Sequence, residues 1–207
     1  MKRTISALLV LLLIMSVMQP GIPVHASTSG VGEDGLRWSV DGNTLTITGT
    51  GKMKNYSADW VGHSPWRSFP GITRVYISEG ITHIGAAAFY DLNNIVEVSL
   101  PSTLTSIGGL AFARCTDLKQ IEIPSSVTRI GNNAFEDCLF LENILIPSGV
   151  TVVEFSTFSA CGALREVILP EGITSIGNFA FYKCGALENI EIPKTVETIG
   201  HRAFAMC

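Results

Sequence analysis

The chain of 207 residues has 46% hydrophobic side chains, which is enough for a sizeable core in one or two domains. Its 14 Lys+Arg stand against 18 Asp+Glu, a net charge of −4. That balance lacks the basic footprint that a phosphate backbone requires, so nucleic acid is excluded as an expected partner.

Lys2 and Arg3 precede the apolar run "ISALLVLLLIMSVM", and "QPGIPVHAS" follows with Val24 and Ala26 as small residues before a cleavage point. Residues 1–26 therefore read as a secretory signal peptide. The apolar run is too short for the roughly 20 residues that a membrane span needs, and no later segment is apolar enough to cross. Cleavage after Ala26 removes two basic residues and no acidic ones, leaving 12 Lys+Arg against 18 Asp+Glu, a net charge of −6.

Residues 27–71 read as a β-rich cap. Leu36, Trp38 and Val40 alternate, Asp41-Gly42-Asn43 supply turn chemistry, and Leu45 and Ile47 alternate on the return, which predicts a hairpin. A solenoid exposes an apolar end, so Trp38, Trp60 and Trp66 are expected to cover the first coil. An aromatic platform for sugars is the functional alternative for these tryptophans.

From residue 72 to 207 the chain repeats at an offset of 23, six times. Phe89, Phe112, Phe135, Phe158, Phe181 and Phe204 form one column; Gly85, Gly108, Gly131, Gly177 and Gly200 form another, broken by Glu154; Pro101, Pro124, Pro147, Pro170 and Pro193 form a third. Such a period signals a solenoid whose units bury their apolar faces against one another. Each unit opens on a strand such as "LKQIEI", with Ile121 and Ile123 inward and Gln120 and Glu122 outward. Proline ends that strand because it has no amide hydrogen. A second extended piece follows, bent because Val127 and Ile130 are three apart. The glycine column is expected to turn the chain with positive φ, and "NNAFEDC" to form a short helix of two turns at most.

These units, with the pattern "IPxxVTxIGxxAFxxC", resemble the BspA-type leucine-rich repeats of bacterial surface proteins over residues 72–207. The segment "LRWSVDGNTLTITGTGKMKNYSADWVGHSPWRSF" also resembles the piece that often precedes such arrays. The resemblance implies an α/β leucine-rich-repeat solenoid with no catalytic centre and no cofactor, and for some relatives adhesion to host proteins or other cells. The array stops at Cys207 with no seventh strand and no polar cap, so it is expected to be a fragment, a truncated reading frame or a protein that stacks on another chain, with a fragment the leading reading.

Cys115, Cys138, Cys161, Cys184 and Cys207 also lie 23 apart, with Leu92 at the same place in the first unit. At an inter-strand rise of about 4.8 Å the five sulfurs span roughly 19 Å, a line that cannot converge on one zinc. Leucine can share a packing role but not a redox one, so buried thiols are the leading reading and cross-coil disulfides the alternative. "GVGEDG" satisfies G-x-G-x-x-G, but no strand is read before it. His83 and His201 fall in the first and sixth units, too far apart for one catalytic centre; His63 reads as a loop histidine and Asn55 as a formal glycosylation sequon.

Binding is expected on the outward strand residues, which form two columns on a ribbon about 29 Å long. The candidates are Tyr76, Glu122, Leu145 and Ile168, because Leu145 and Ile168 are apolar neighbours in consecutive coils and Tyr76 is amphipathic. The fourth unit departs most from the pattern, with Glu154 for glycine and Thr157 for alanine. The leading expectation is a secreted or cell-surface protein that binds a protein or surface-glycan partner. The alternatives are a non-catalytic part of a larger extracellular enzyme and a self-associating surface-layer component.

Overall fold

The computed structural model describes residues 28–59 and 61–207, so the expected signal peptide and the cap role of Trp60 lie outside the described residues. Each 23-residue unit makes one coil of a β-solenoid. Coils 1 to 6 begin at Ile72, Ile95, Leu118, Leu141, Leu164 and Leu187, and all six side chains are buried.

Ahead of coil 1, β1 (Thr28–Val31), β2 (Arg37–Asp41) and β3 (Thr44–Thr48) pair antiparallel, with Gly42 at φ 56° in the β2–β3 turn. Leu36, Val40, Leu45 and Ile47 are buried as their alternation requires. β3 then runs parallel to β5 (Arg74–Ile77), and β4 (Gly51–Lys52) runs parallel to β6 (Ile81–Ile84). The hairpin is thus spliced into the solenoid as a preceding coil. Trp66 lies one period before Phe89 and stacks on it at 5.9 Å, while its Nε1 donates to the Ala88 carbonyl at 2.7 Å. Trp38 packs edge-on against Trp66 at 6.4 Å.

Each coil has three faces. The strand face holds β5 and then β7 (Glu97–Ser99), β10 (Asn143–Leu145) and β12 (Glu166–Ile168). A second ladder holds β6, β8 (Ser106–Ile107), β9 (Arg129–Ile130), β11 (Val152–Val153), β13 (Ser175–Ile176) and β14 (Thr198–Ile199). The third face, from the glycine column to the cysteine column, is a run of turns.

No helix forms in that third segment, contrary to the expected short helix. Amides alternate: Ala88 donates within its own turn to Gly85, whereas Ala87, Phe89 and Asp91 donate across to Gly109, Ala111 and Ala113 of the next coil at 2.8–2.9 Å. A helix would keep every amide within its own segment, and a two-turn helix is unstable alone. Positive φ also sits elsewhere than expected. It falls on two non-glycine columns, Ala87 to Arg202 and Asp91 to Met206, and not on the repeated glycines. Those glycines are required by close approach instead. A Cβ on Gly108 or Gly131 would lie 2.6 Å from a backbone nitrogen of the preceding coil.

Glu154 tests that requirement within the same chain. Gly108, Gly131, Gly177 and Gly200 each donate their amide to the preceding coil at 2.7–2.9 Å, but Glu154 makes no such bond. Thr105, Thr128 and Thr174 bond backward through both amide and hydroxyl, and Thr151 does neither. The second ladder accordingly splits between β9 and β11. The neighbouring departure, Thr157, is buried and places its hydroxyl on the Glu154 carbonyl at 2.9 Å, which satisfies the added polar group locally.

Beneath the turn face the phenylalanines stack continuously from Phe89 to Phe204, with centroids 5.0–5.5 Å apart and ring planes within 14° of parallel. Beside them Cys115, Cys138, Cys161 and Cys184 are fully buried and unbridged. Each thiol points at the carbonyl of the phenylalanine 26 residues earlier, at 3.2 Å. Burial pushes these thiols up, that of Cys184 to about 12, so none is a ready thiolate. Leu92, also buried, fills the same place in coil 1. The packing reading holds, and the disulfide alternative is not the arrangement adopted.

Gly131→Ala is expected to cost about 1–3 kcal/mol in urea denaturation by forcing coils 2 and 3 apart, whereas Gly71→Ala, with open space around it, should change little. Glu154→Gly should act in the opposite sense, bringing the amides of residues 151 and 154 under hydrogen-exchange protection. A thiol reagent should modify only the exposed Cys207 rapidly in native protein, and all five thiols after unreduced denaturation. A denatured count lower by two or four would mean cross-coil bridges.

Candidate interaction surface

The strand face presents both outward columns to solvent. Arg74, Glu97, Gln120, Asn143, Glu166 and Asn189 are exposed, as are Tyr76, Ser99, Glu122, Leu145, Ile168 and Glu191. Leu145 and Ile168 are register partners on β10 and β12, with 59% and 49% of their surfaces exposed. The structure therefore joins these two candidates. Glu122, in coil 3, which forms no strand on this face, lines one groove with Leu145 and Ile168, whereas Tyr76 lies apart and pairs with Ser99 on β7.

The ladder on this face is interrupted, which sequence periodicity does not show. Strands pair between coils 1 and 2 and between coils 4 and 5, while coils 3 and 6 remain unpaired. Coils 3 and 6 are the two with glutamate, Glu122 or Glu191, at the middle outward position. The paired coils have Tyr76 beside Ser99 and Leu145 beside Ile168. Cross-strand side-chain pairs of that kind are worth about 0.2–1 kcal/mol, and glutamate is a poor strand former. Leu145 and Ile168 thus also hold β10 to β12.

Grooves follow the interruptions. One of about 440 Å³ separates residues 96–100 from 120–124, and one of about 810 Å³ separates 165–169 from 189–191. A third of about 400 Å³ runs beside Leu145 and Ile168 toward Ile121 and Ile123. The surface is acidic: Glu97, Glu122, Glu142, Glu166, Glu188 and Glu191 face Arg74, Lys119 and Arg165. Among the described residues none of these groups has an ion-pair partner within 4 Å.

Leu139 and Phe140, which end coil 3, and Phe155 in coil 4 are also exposed. Phe155 opens an aromatic cluster that column reading missed. Phe179 contacts Phe155 at 5.9 Å, Tyr182 at 5.5 Å and His201 at 5.7 Å, each edge to face, with Lys183 over the Tyr182 ring at 5.3 Å. The available signal was two phenylalanines 24 residues apart, at positions where other coils have Ala, Gly, Leu, Asn, Ser, Arg or His.

The remaining motifs have structural partners. His83 Nδ1 lies 2.8 Å from the Ser106 hydroxyl, and burial, with Lys52 and Arg129 nearby, holds its pKa below the usual histidine value. His63 Nδ1 contacts the Ser64 carbonyl. In "GVGEDG" the Asp34 carboxylate accepts the amides of Leu36 and Lys54, so the loop closes on its own hairpin. Asn55 Oδ1 accepts the Ala86 amide. Among the described residues no three His, Cys, Asp or Glu side chains converge, and no helix is long and apolar enough to cross a membrane.

Residues 68–207 match the BspA type Leucine rich repeat region in six copies. Among solved structures, a leucine rich cell surface protein from Faecalibacterium prausnitzii is 31% identical with a TM-score of 0.67, over 87% of this chain and 52% of that one. A leucine-rich repeat protein from Bacteroides ovatus shares the fold at 22% identity and a TM-score of 0.58, over 84% of this chain and 54% of its own. The chain thus spans about half the length of these two proteins. No curated protein matches it. Six copies of one repeat over two thirds of the sequence, folded as a solenoid with one coil per copy, place this chain in the BspA-type leucine-rich repeat family.

Proposed function

We propose that the protein is a non-catalytic interaction module, secreted or held at the cell surface, that binds a protein or surface glycan through its strand face. The observation behind this reading is the Leu145–Ile168 pair, two large apolar side chains about half exposed and in register at the middle of an otherwise polar ribbon. Adjacent exposed apolar residues on a rigid element mark contact sites more often than scattered ones. Membership of the repeat family and the likeness to a leucine rich cell surface protein support an interaction module and a surface setting. Tyr76 is an outlying contact in this reading, three coils from Leu145, while Glu122, one coil away, lines the same groove as the pair.

Because the same pair also ties β10 to β12, its test must keep strand propensity. The double variant Leu145→Thr, Ile168→Thr keeps β-branching at 168 and introduces it at 145, so strand propensity is preserved while the apolar surface is removed. On a panel of immobilised surface proteins and glycans, the protein should bind at least one member and the variant should bind it at least tenfold more weakly, with Tm within a few degrees of the parent. Unchanged binding by the variant would move the contact off this face.

A further inference from the structure

We infer that the turn face of coils 4 to 6 carries a second binding site, for a glycan containing uronic acids: its sugar rings pack on Phe155, Phe179 and Tyr182, and its carboxylates pair with Lys183 and Arg202. This site lies on a different face from the Leu145–Ile168 pair and does not depend on that pair being a contact.

The chain builds one aromatic and cationic grouping twice on its turn face. In coil 1 the Tyr90 ring has two guanidiniums against it, Arg67 at 5.1 Å and Arg114 at 5.6 Å. Each has its own carboxylate there: Arg67 meets Asp91 at 2.9 Å, and Arg114 meets Asp137 at 3.8 Å. Tyr182 occupies the place of Tyr90 in coil 5, with Lys183 over its ring at 5.3 Å. Arg202 stands one coil on from Phe179, and His201 touches the Phe179 ring at 5.7 Å. Between the glycine and cysteine columns, coils 5 and 6 contain no acidic residue, and among the described residues no carboxylate lies within 4 Å of Lys183, His201 or Arg202. The second grouping is the first without its anions, in a chain where 18 acidic residues stand against 14 basic ones. A ligand that brings carboxylates completes it.

The rings set the rest of the ligand. Phe155 is 44% exposed and joins Phe179 at 5.9 Å, and Phe179 joins Tyr182 at 5.5 Å. Coils 1 to 3 fold with Ala86, Gly109 and Asn132 in the place of Phe155, and with Ala87, Leu110 and Asn133 in the place of Phe179, so the solenoid does not require these rings. The main chain is already occupied here. The amides of Ser156, Phe158 and Ala160 donate to coil 5, and those of Phe179, Phe181 and Lys183 donate to coil 6. An acidic peptide therefore finds no ladder to extend. What the face offers is side chains alone, rings with cations beside them, and a stiff ligand that joins apolar ring faces to carboxylates meets them at low ordering cost. A chain of uronic acid pyranoses has both.

The probes are short oligomers of galacturonic, mannuronic and guluronic acid, each compared with its methyl ester, and an oligomer of glutamic acid of the same length. With the full protein at low salt, at least one uronate oligomer should bind, and its methyl ester should bind at least about tenfold more weakly, the loss expected when a charge-assisted hydrogen bond goes. Phe155→Asn with Phe179→Asn supplies the residues that coil 3 has at these places, Asn132 and Asn133, and Asn133 has the same backbone conformation as Phe179, φ 58° against 57°. Its Tm should stay within a few degrees of the parent while affinity falls at least about tenfold. Lys183→Asp, which matches Asp91 and Asp137 of coils 1 and 3, should weaken binding by a similar factor. The Leu145→Thr, Ile168→Thr variant should bind the oligomer as the parent does, so the two surfaces fail separately. No binding of any uronate oligomer at millimolar concentration, equally tight binding of the glutamate oligomer, or undiminished affinity in the asparagine double variant would overturn the inference.

Discussion

The turn face is the constraint on which the rest of the structure depends. At each of the five junctions between coils 1 and 6, three amides on that face donate to the next coil, and no junction lacks one. The same segment requires two left-handed residues per coil, none of them glycine. Such residues cost about 1–2 kcal/mol each, and three inter-coil bonds return about 0.5–1.5 kcal/mol each. The two sums nearly cancel. What decides for the folded array is the apolar column beneath, where each ring is fully buried from Phe89 to Phe181 and stacked at about 5 Å. Ring thickness and hydrogen-bond length therefore set one common pitch.

With the pitch held there, the other two faces are free to differ. The second ladder fails only where a side chain intrudes between backbones, at Glu154. On the strand face the ladder fails where the outward residue neither favours a strand nor pairs with its neighbours, at Glu122 and Glu191. Coils 3 and 4 come apart on both ladders and remain joined through the turn face, where the Asn133, Phe135 and Asp137 amides donate to the Phe155, Thr157 and Ser159 carbonyls, and through the Glu142 amide on the Lys119 carbonyl beside the strand face.

Much of this was legible in the sequence. The period, the buried columns, the hairpin, the exposed ribbon and the packing role of the cysteines follow from the residues alone. Three features did not. "NNAFEDC" reads as helix by length and composition, but its fate depends on carbonyls offered by a neighbouring coil, which no local propensity contains. The glycines read as turn formers because positive φ is their usual reason; here the reason is a backbone one coil away, so only three-dimensional stacking reveals it. The grooves escape because repetition implies an unbroken ladder. Glu122 was picked out for its place in the column, yet its consequence, an unpaired strand, depends on what Ser99 and Leu145 present on either side.

Departures from the repeat are not spread evenly, and that bears on which face does the binding. Coil 4 combines Glu154, Thr157 and two exposed apolar side chains, Leu145 and Phe155, and the two residues that end coil 3, Leu139 and Phe140, are exposed and apolar as well. Its contribution to the common framework is nevertheless intact: Phe158 and Cys161 are fully buried, and Phe158 stacks on both neighbours. Random loss of pattern would strike buried and exposed columns alike, since each coil has one of every kind. Here the buried phenylalanine and cysteine columns are kept, the buried Thr157 hydroxyl is satisfied, and the apolar additions all point outward. A coil that keeps its stacking residues while changing what it shows to solvent has been freed from repetition only where repetition serves no structural purpose, which supports the proposal that recognition uses the exposed side chains of coil 4.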